Sequence, residues 1–156
     1  MRLSDFVCIE AVVPHLESSD RDQVILELAR SLEKCGKLSD GQVQEVVDAV
    51  IKREQEASTG IGKGVAVPHV KHPSITEVIA TVGCSPGGIN FSSLDKQPVY
   101  SVILLLSPAD GADKHLQAME VIFKNLQKDD FRKFLKQAQT TEQLRETIED
   151  AEDSGR

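Results

Sequence analysis

The chain has 156 residues, enough for one domain with a sizeable core. Its formal net charge of −7 and pI near 5.1 are opposite to the basic surface of most nucleic-acid-binding proteins, so nucleic acid is not expected as a partner. No apolar run approaches the roughly 18 residues of a membrane span, and the N-terminus does not lead into a signal-peptide core. We therefore expect no membrane insertion and a cytoplasmic location.

Two amphipathic helices are predicted in the N-terminal third. Apolar residues recur at helical spacing from residue 20 to residue 36, with Ser19 or Asp20 as the N-cap. Ser39 and Gln42 have capping-box spacing at the start of the second helix, whose valines form one apolar face. We expect this helix to end near Arg53 and to pass that residue to the following loop.

A glycine-spaced segment, Ser-Thr-Gly-Ile-Gly-Lys-Gly-Val-Ala-Val-Pro-His, occupies residues 58–69. Glycine permits backbone conformations and close approaches that a side chain would forbid. Pro68 fixes its own φ and favours an extended Val67, so His69 is expected at the end of a short strand. The spacing fits neither a dinucleotide fingerprint nor a Walker A loop.

Two interpretations of this segment remain open. In the functional one, the N–H groups of the turn, including Gly60, and the hydroxyls of Ser58 and Thr59 bind a phosphate beside the imidazole of His69. In the structural one, the segment is a glycine-rich turn before a buried strand, followed by a surface histidine.

The middle third is predicted to form a sheet. Short runs of β-branched and aliphatic residues, bounded by Gly, Pro, Asp or Ser, predict strands at Val65–Val67, Val78–Val82 and Val99–Leu106. The last run is apolar on both faces, which is typical of a central strand covered by helices. The sequence thus predicts a single α/β domain in which a central mixed sheet is flanked by helices on both faces, a three-layer arrangement.

The C-terminal third is predicted to be helical. Asp113 opens a helix, a second one follows, and Thr140 with Gln143 has capping-box spacing before a closing helix through Ile148. The apolar positions that mark the first two helices are Leu116, Met119, Ile122, Phe123 and Leu126, then Phe131, Phe134, Leu135 and Ala138. We expect the domain to span 1–150 and the acidic tail 151–156 to fray.

His115 lies in the first turn of the helix that follows the central strand. Exposed N–H groups and the helix dipole favour an anion there, and helix starts gather at one edge of an α/β sheet. A histidine at such a position is commonly only a solvated or capping side chain. A zinc site of His69, His72 and His115 is disfavoured, because the first two lack helical i, i+4 spacing and no carboxylate or cysteine completes the set.

A long pattern around the glycine segment resembles the fructose/mannitol type of enzyme IIA of the bacterial phosphoenolpyruvate-dependent sugar phosphotransferase system. The matching residues are Arg53-Glu54, 58–62 and 64–69, and then Gly88-Ile89, Phe91, Asp95, Pro98, Val99, the strand to Leu106, Pro108 and His115-Leu116. The resemblance covers nearly the whole chain. It is nearest to the free-standing nitrogen-regulatory branch, in 107–110 and 137–148.

The resemblance implies the roles of three residues. His69 corresponds to the phosphorylated histidine, Arg53 to the active-site arginine and His115 to the second active-site histidine. An arginine fork can bind two equatorial phosphoryl oxygens and an imidazole can donate a third hydrogen bond. Because the donor is itself a phosphohistidine, the resemblance implies neither a metal nor another cofactor. Val70 replaces the small residue that the family usually has after the nucleophile.

The resemblance also implies the partners. The donor is an HPr-like phosphocarrier, and the recipient is either a IIB domain with an acceptor cysteine or a regulated cytoplasmic protein. Cys8, Cys35 and Cys84 are widely separated, form no CxxC pair and are interpreted as reduced thiols. Because the chain carries neither a permease nor a IIB domain, we expect the nitrogen-regulatory role, with a sugar-transport IIA component as the alternative.

Overall fold

The computed structural model describes residues 1–93 and 95–154, with side chains up to residue 151. In this part of the chain a short helix and a 3₁₀ turn at Ile9–Ala11, neither of which was predicted, precede the two long N-terminal helices. The helices are α1 Leu3–Phe6, α2 Arg21–Lys34, α3 Asp40–Glu56, α4 Ala112–Leu126, α5 Asp129–Gln137 and α6 Thr141–Ser154. The strands are β1 Gly60–Gly62, β2 Val65–Ala66, β3 His69–His72, β4 Ile79–Ile89 and β5 Val99–Pro108.

Strand β5 is the centre of a mixed sheet. Strand β4 pairs with it antiparallel along one edge. Strands β2 and β3 both pair with it parallel and lie end to end along the other edge, β2 opposite Ser101 and Val102 and β3 opposite Leu105–Pro108. Strand β1 pairs antiparallel with β2. The prediction of a mixed sheet around the Val99–Leu106 run is confirmed.

Helices cover both faces of this sheet. Side chains of β5 alternate between two cores. Val102, Leu104 and Leu106 pack with apolar residues of α2 and α3, whereas Ile103 and Leu105 pack with those of α4, α5 and α6. The predicted three-layer α/β arrangement is therefore confirmed, and His69 and His115 lie in the layer shared by the sheet and α4.

The N-terminal helices begin where their caps predicted. The Asp20 carboxylate accepts a hydrogen bond from the Gln23 N–H, and Ser39 and Gln42 form the predicted capping box. Helix α3, however, continues to Glu56, so the expectation that it ends near Arg53 is wrong. Residues 54–56 are Glu-Gln-Glu, which favour helix, and Arg53 consequently lies in the last turn of the helix.

The C-terminal helices differ from prediction at their ends. Gly111, not Asp113, is the N-cap of α4. Leu116, expected on the apolar face, is 59% exposed, because the buried face of α4 is formed by Ala118, Ile122 and Leu126. Helix α6 runs past Ile148 to Ser154. Of the tail expected to fray over 151–156, residues 155 and 156 lie outside the described residues.

Candidate active site

Pro68 divides one edge of the sheet into two short strands. Proline has no N–H to donate, and β2 ends at Ala66 while β3 begins at His69. The Pro68 carbonyl still accepts a hydrogen bond from the Leu105 N–H at 3.0 Å, which keeps both halves aligned on β5. His69 therefore opens a strand, and the expectation that it ends one is wrong.

Strand alternation places His69 on the α4 side of the sheet. Val70 packs against the core formed with α2 and α3, and neighbouring strand residues point to opposite faces. His69 and Lys71 consequently share the other face. The extra bulk of Val70, the departure from the family pattern, therefore points away from the imidazole of His69.

A buried carboxylate fixes the turn that leads to His69. Glu54, in the last turn of α3, is only 2% exposed. It accepts hydrogen bonds from the Thr59 N–H at 3.1 Å and from the Thr59 hydroxyl. No role was predicted for Glu54 from the sequence. Its position next to Arg53, in the Arg53-Glu54 part of the family pattern, was the available signal.

The residues predicted to bind phosphate are hydrogen-bonded within the turn. The Ser58 hydroxyl donates to the Phe91 carbonyl at 2.5 Å and accepts from the Gly60 N–H at 3.0 Å. A Cβ on Gly60 would lie 2.5 Å from the Ser93 hydroxyl oxygen and 3.0 Å from the Ser93 Cα, so a side chain there would force Ser93 to move. Phosphate binding by Ser58, Thr59 and Gly60 stays a prediction. In the structure their hydrogen bonds hold the turn in place.

The environment of His69 fixes its tautomer. Its Nδ1 lies 2.7 Å from the Val67 carbonyl oxygen. A carbonyl only accepts hydrogen bonds, so Nδ1 carries the proton and Nε2 keeps its lone pair. Burial lowers the pKa of His69, and the positive charge of Arg53 acts in the same direction, whereas the Val67 bond and Glu54 oppose it. His69 is thus a neutral imidazole with a nucleophilic Nε2 near pH 7.

His115 lies beside His69, as predicted. The two ring centroids are 5.6 Å apart and the rings are inclined at 43°. The Nδ1 of His115 lies 2.7 Å from the Ser107 hydroxyl oxygen. Burial, followed by the charges of His69 and Lys71, lowers the pKa of His115 to about 4. This second imidazole is therefore neutral as well.

Two cations border the imidazole pair. Arg53 lies near enough to His69 to act on its pKa, and one guanidinium nitrogen donates to the Ala57 carbonyl at 2.9 Å. Lys71 acts in the same way on His115. Roles for Lys71 and Ser107 were not predicted from the sequence. Strand alternation from His69 could have revealed Lys71. Ser107 appeared only as a polar residue at the end of the apolar run and as the first residue of the 107–110 segment that resembles the nitrogen-regulatory branch.

The two remaining histidines make other contacts. The His72 Nδ1 accepts from the Ser74 N–H at 3.1 Å, and alternation places His72 on the face opposite His69. The His15 Nε2 lies 2.9 Å from the Gln139 carbonyl oxygen. Neither side chain belongs to the site.

The site combines a neutral nucleophilic nitrogen, a second neutral imidazole and two cations at one edge of the sheet. Cations and imidazole N–H groups stabilise the charge on phosphoryl oxygens, and neither histidine is protonated near pH 7. These features define an α/β protein whose site suits the transfer of a phosphoryl group to histidine.

Within residues 1–93 and 95–154, no helix has the length and apolarity needed to cross a membrane.

Comparison with known proteins shows the family. Residues 6–151 match the family model described as "Phosphoenolpyruvate-dependent sugar phosphotransferase system, EIIA 2". The chain therefore belongs to this family of phosphotransferase system components.

Curated relatives carry both regulatory and transport names. The chain is 33% identical to the nitrogen regulatory protein of Bradyrhizobium diazoefficiens over 136 residues, which cover 87% of each protein. It is 30% identical over 148 residues to the fructose-specific EIIABC component of Bacillus subtilis, a match that covers 95% of the chain. The chain spans only 23% of that longer relative.

Solved structures show the same fold. The nitrogen regulatory protein IIA-Ntr of Neisseria meningitidis superposes with a TM-score of 0.82 at 23% identity, over 94% of this chain and 98% of that one. Enzyme IIAMTL of Escherichia coli, solved in complex with phosphorylated enzyme IIBMTL, superposes with a TM-score of 0.73 at 18% identity, over 94% and 96%. In that complex an enzyme IIA is thus paired with an enzyme IIB.

Proposed function

We propose that this chain is a cytoplasmic phosphocarrier of the phosphotransferase system, of the nitrogen-regulatory type, and that His69 accepts a phosphoryl group from the phosphohistidine of an HPr-like donor. The observation that carries the proposal is the Nδ1 bond of His69 to the Val67 carbonyl, which leaves Nε2 with a lone pair, in a ring that lies beside His115 and within electrostatic range of Arg53. Family membership over residues 6–151 supports it.

The transfer is a single in-line displacement at phosphorus. The Nε2 lone pair of His69 forms the new P–N bond as the P–N bond of the donor breaks, and the donor imidazole leaves with that electron pair. His69 keeps its Nδ1 proton, and the Val67 carbonyl stabilises the positive charge that the ring gains. Arg53 and His115 donate hydrogen bonds to the equatorial oxygens, and Lys71 adds positive charge.

Labelling with a phosphorylated HPr-like donor tests this function. We expect one phosphoryl group per chain, labile in acid and stable in base, and no label in His69→Ala. His15→Ala and His72→Ala are matched controls that should label like the wild type, since both histidines lie outside the site. Full labelling of His69→Ala would overturn the assignment.

The match to the B. subtilis fructose-specific EIIABC component supports a second candidate, a sugar-transport IIA that passes the group to a IIB cysteine. The two functions differ in the consequence of phosphorylation. For a regulator, phosphorylation should change affinity for a target protein by about 5- to 150-fold, the usual range of allosteric coupling. Rapid transfer to a sugar-specific IIB, without any target whose binding depends on phosphorylation, would favour transport.

A further inference from the structure

The hydrogen bond between Ser107 and His115 has a direction that the surroundings determine. Ser107 is the residue of β5 opposite Lys71, and it is completely buried. Its hydroxyl oxygen lies 2.7 Å from the Nδ1 of His115. In one arrangement the hydroxyl donates to Nδ1, and in the other a protonated Nδ1 donates to the hydroxyl oxygen.

Only the first arrangement pairs the hydroxyl proton. Among the described residues, the Ser107 hydroxyl has no hydrogen-bond partner other than His115. If Nδ1 were the donor, the hydroxyl proton would be buried without an acceptor, which is costly in a folded protein. If the hydroxyl donates, its proton is paired and Nδ1 is the acceptor.

We infer that Ser107 is a positioning residue that donates its hydroxyl proton to Nδ1 of His115 and thereby holds His115 in the Nε2–H tautomer. The inference rests on the proposed function for its catalytic meaning, though the tautomer can be observed without it. His69 and His115 are then held in opposite tautomers. His69 presents a lone pair to phosphorus, and His115 presents an N–H to a phosphoryl oxygen.

The opposite tautomers arise from two different partners. The Val67 carbonyl can only accept, so it favours the proton of His69 at Nδ1, whereas the Ser107 hydroxyl can donate its own proton to the corresponding nitrogen of His115. With Nδ1 protonated instead, His115 would direct its Nε2 lone pair towards an anionic phosphoryl oxygen. Ser107 therefore prevents repulsion at this position.

Long-range ¹H–¹⁵N NMR of ¹⁵N-histidine-labelled protein near pH 7.5 tests the tautomers directly. The chain has only four histidines, so single substitutions assign every signal. We expect protonated Nδ1 in His69 and protonated Nε2 in His115. Ser107→Ala should add a measurable Nδ1–H population to His115 alone. A protonated Nδ1 in wild-type His115 overturns the inference, and this result does not depend on whether Ser107→Ala folds.

Transfer kinetics test the consequence of the tautomer. Ser107→Ala should slow phosphorylation of His69 on the order of tenfold while final labelling stays complete, and Ser107→Thr should restore most of the rate because it keeps the hydroxyl. Ser101→Ala is the matched control, a serine of the same strand that is 2% exposed and lies outside the site. Equal rates for Ser107→Ala and Ser101→Ala contradict the inference. Failure of the wild type to label at His69 would instead overturn the proposed function.

Discussion

The low pKa of His115 predicts that mild acid destabilises the protein. Burial lowers this pKa from 6.5 to about 4, so between these values the unfolded chain binds a proton that the native state does not. Stability therefore falls as pH decreases through this window, by at most about 1.4 kcal/mol per pH unit for one histidine. Above pH 6.5 both states are neutral at this residue and its contribution to the pH dependence disappears.

The magnitude must be reduced for solvent screening, because the ring of His115 is only partly buried. We expect about 1 kcal/mol of lost stability between pH 7 and pH 5 from this residue. The pKa of His69 is also lowered, mainly by burial, so it adds a loss of the same sign.

Urea unfolding at several pH values between 7.5 and 5 measures this effect. His115→Gln should lose about 1 kcal/mol less than the wild type over the interval, whatever its stability at pH 7.5. His15→Gln removes a histidine that contacts the Gln139 carbonyl outside the site and serves as the control. An identical pH dependence in the wild type and His115→Gln would refute the reasoning.

Three further substitutions test the supports of the site. Arg53→Lys should slow phosphoryl transfer on the order of 10²-fold with little change in unfolding free energy, because a point charge cannot reproduce the guanidinium fork. A rate near that of the wild type would mean that Arg53 does not contact the phosphoryl group in the transition state. Glu54→Ala should lower the free energy of unfolding by about 3 kcal/mol, since it removes two hydrogen bonds to a buried carboxylate. Glu56→Ala, at an exposed position, is the control. Equal losses in the two variants would argue against a role of Glu54 in holding the turn. Gly60→Ala should lower the free energy of unfolding by about 1–3 kcal/mol because the added methyl group would push against Ser93. Gly41→Ala in α3, where a methyl group meets open space, should leave stability unchanged or raise it. A larger loss in Gly41→Ala than in Gly60→Ala would contradict this account of the packing around Gly60.

Local signals in the sequence were sufficient for most of the fold. The N-caps of α2 and α3 depend on residues three positions apart, and the central strand was recognisable from its apolar run. Helix ends were less accurate, since α3 and α6 both continue through polar residues that have no helix-breaking signal. Leu116 was counted among the apolar positions that mark α4 but is exposed, because periodicity identifies an apolar stripe and not which of its members is buried.

The site was predictable only where its residues form a recognisable pattern. Arg53, His69 and His115 belong to the family pattern, and the structure brings the two imidazoles together with the guanidinium near them. Glu54 and Ser107 gain their roles from partners that tertiary structure supplies, a turn N–H and an imidazole nitrogen. Glu54 lies in the matching Arg53-Glu54 pair and Ser107 in the matching 107–110 segment, but the sequence pattern does not show which atoms these side chains contact.

The position of the phosphoryl group on His69 tests the central claim most directly. After phosphorylation by the HPr-like donor, ¹⁵N and ³¹P NMR of histidine-labelled protein identify the nitrogen bonded to phosphorus. Because the Val67 carbonyl holds the Nδ1 proton, we predict a phosphoryl group on Nε2 of His69, with Nδ1 still protonated. A phosphoryl group on Nδ1, or on a histidine other than His69, would contradict this mechanism.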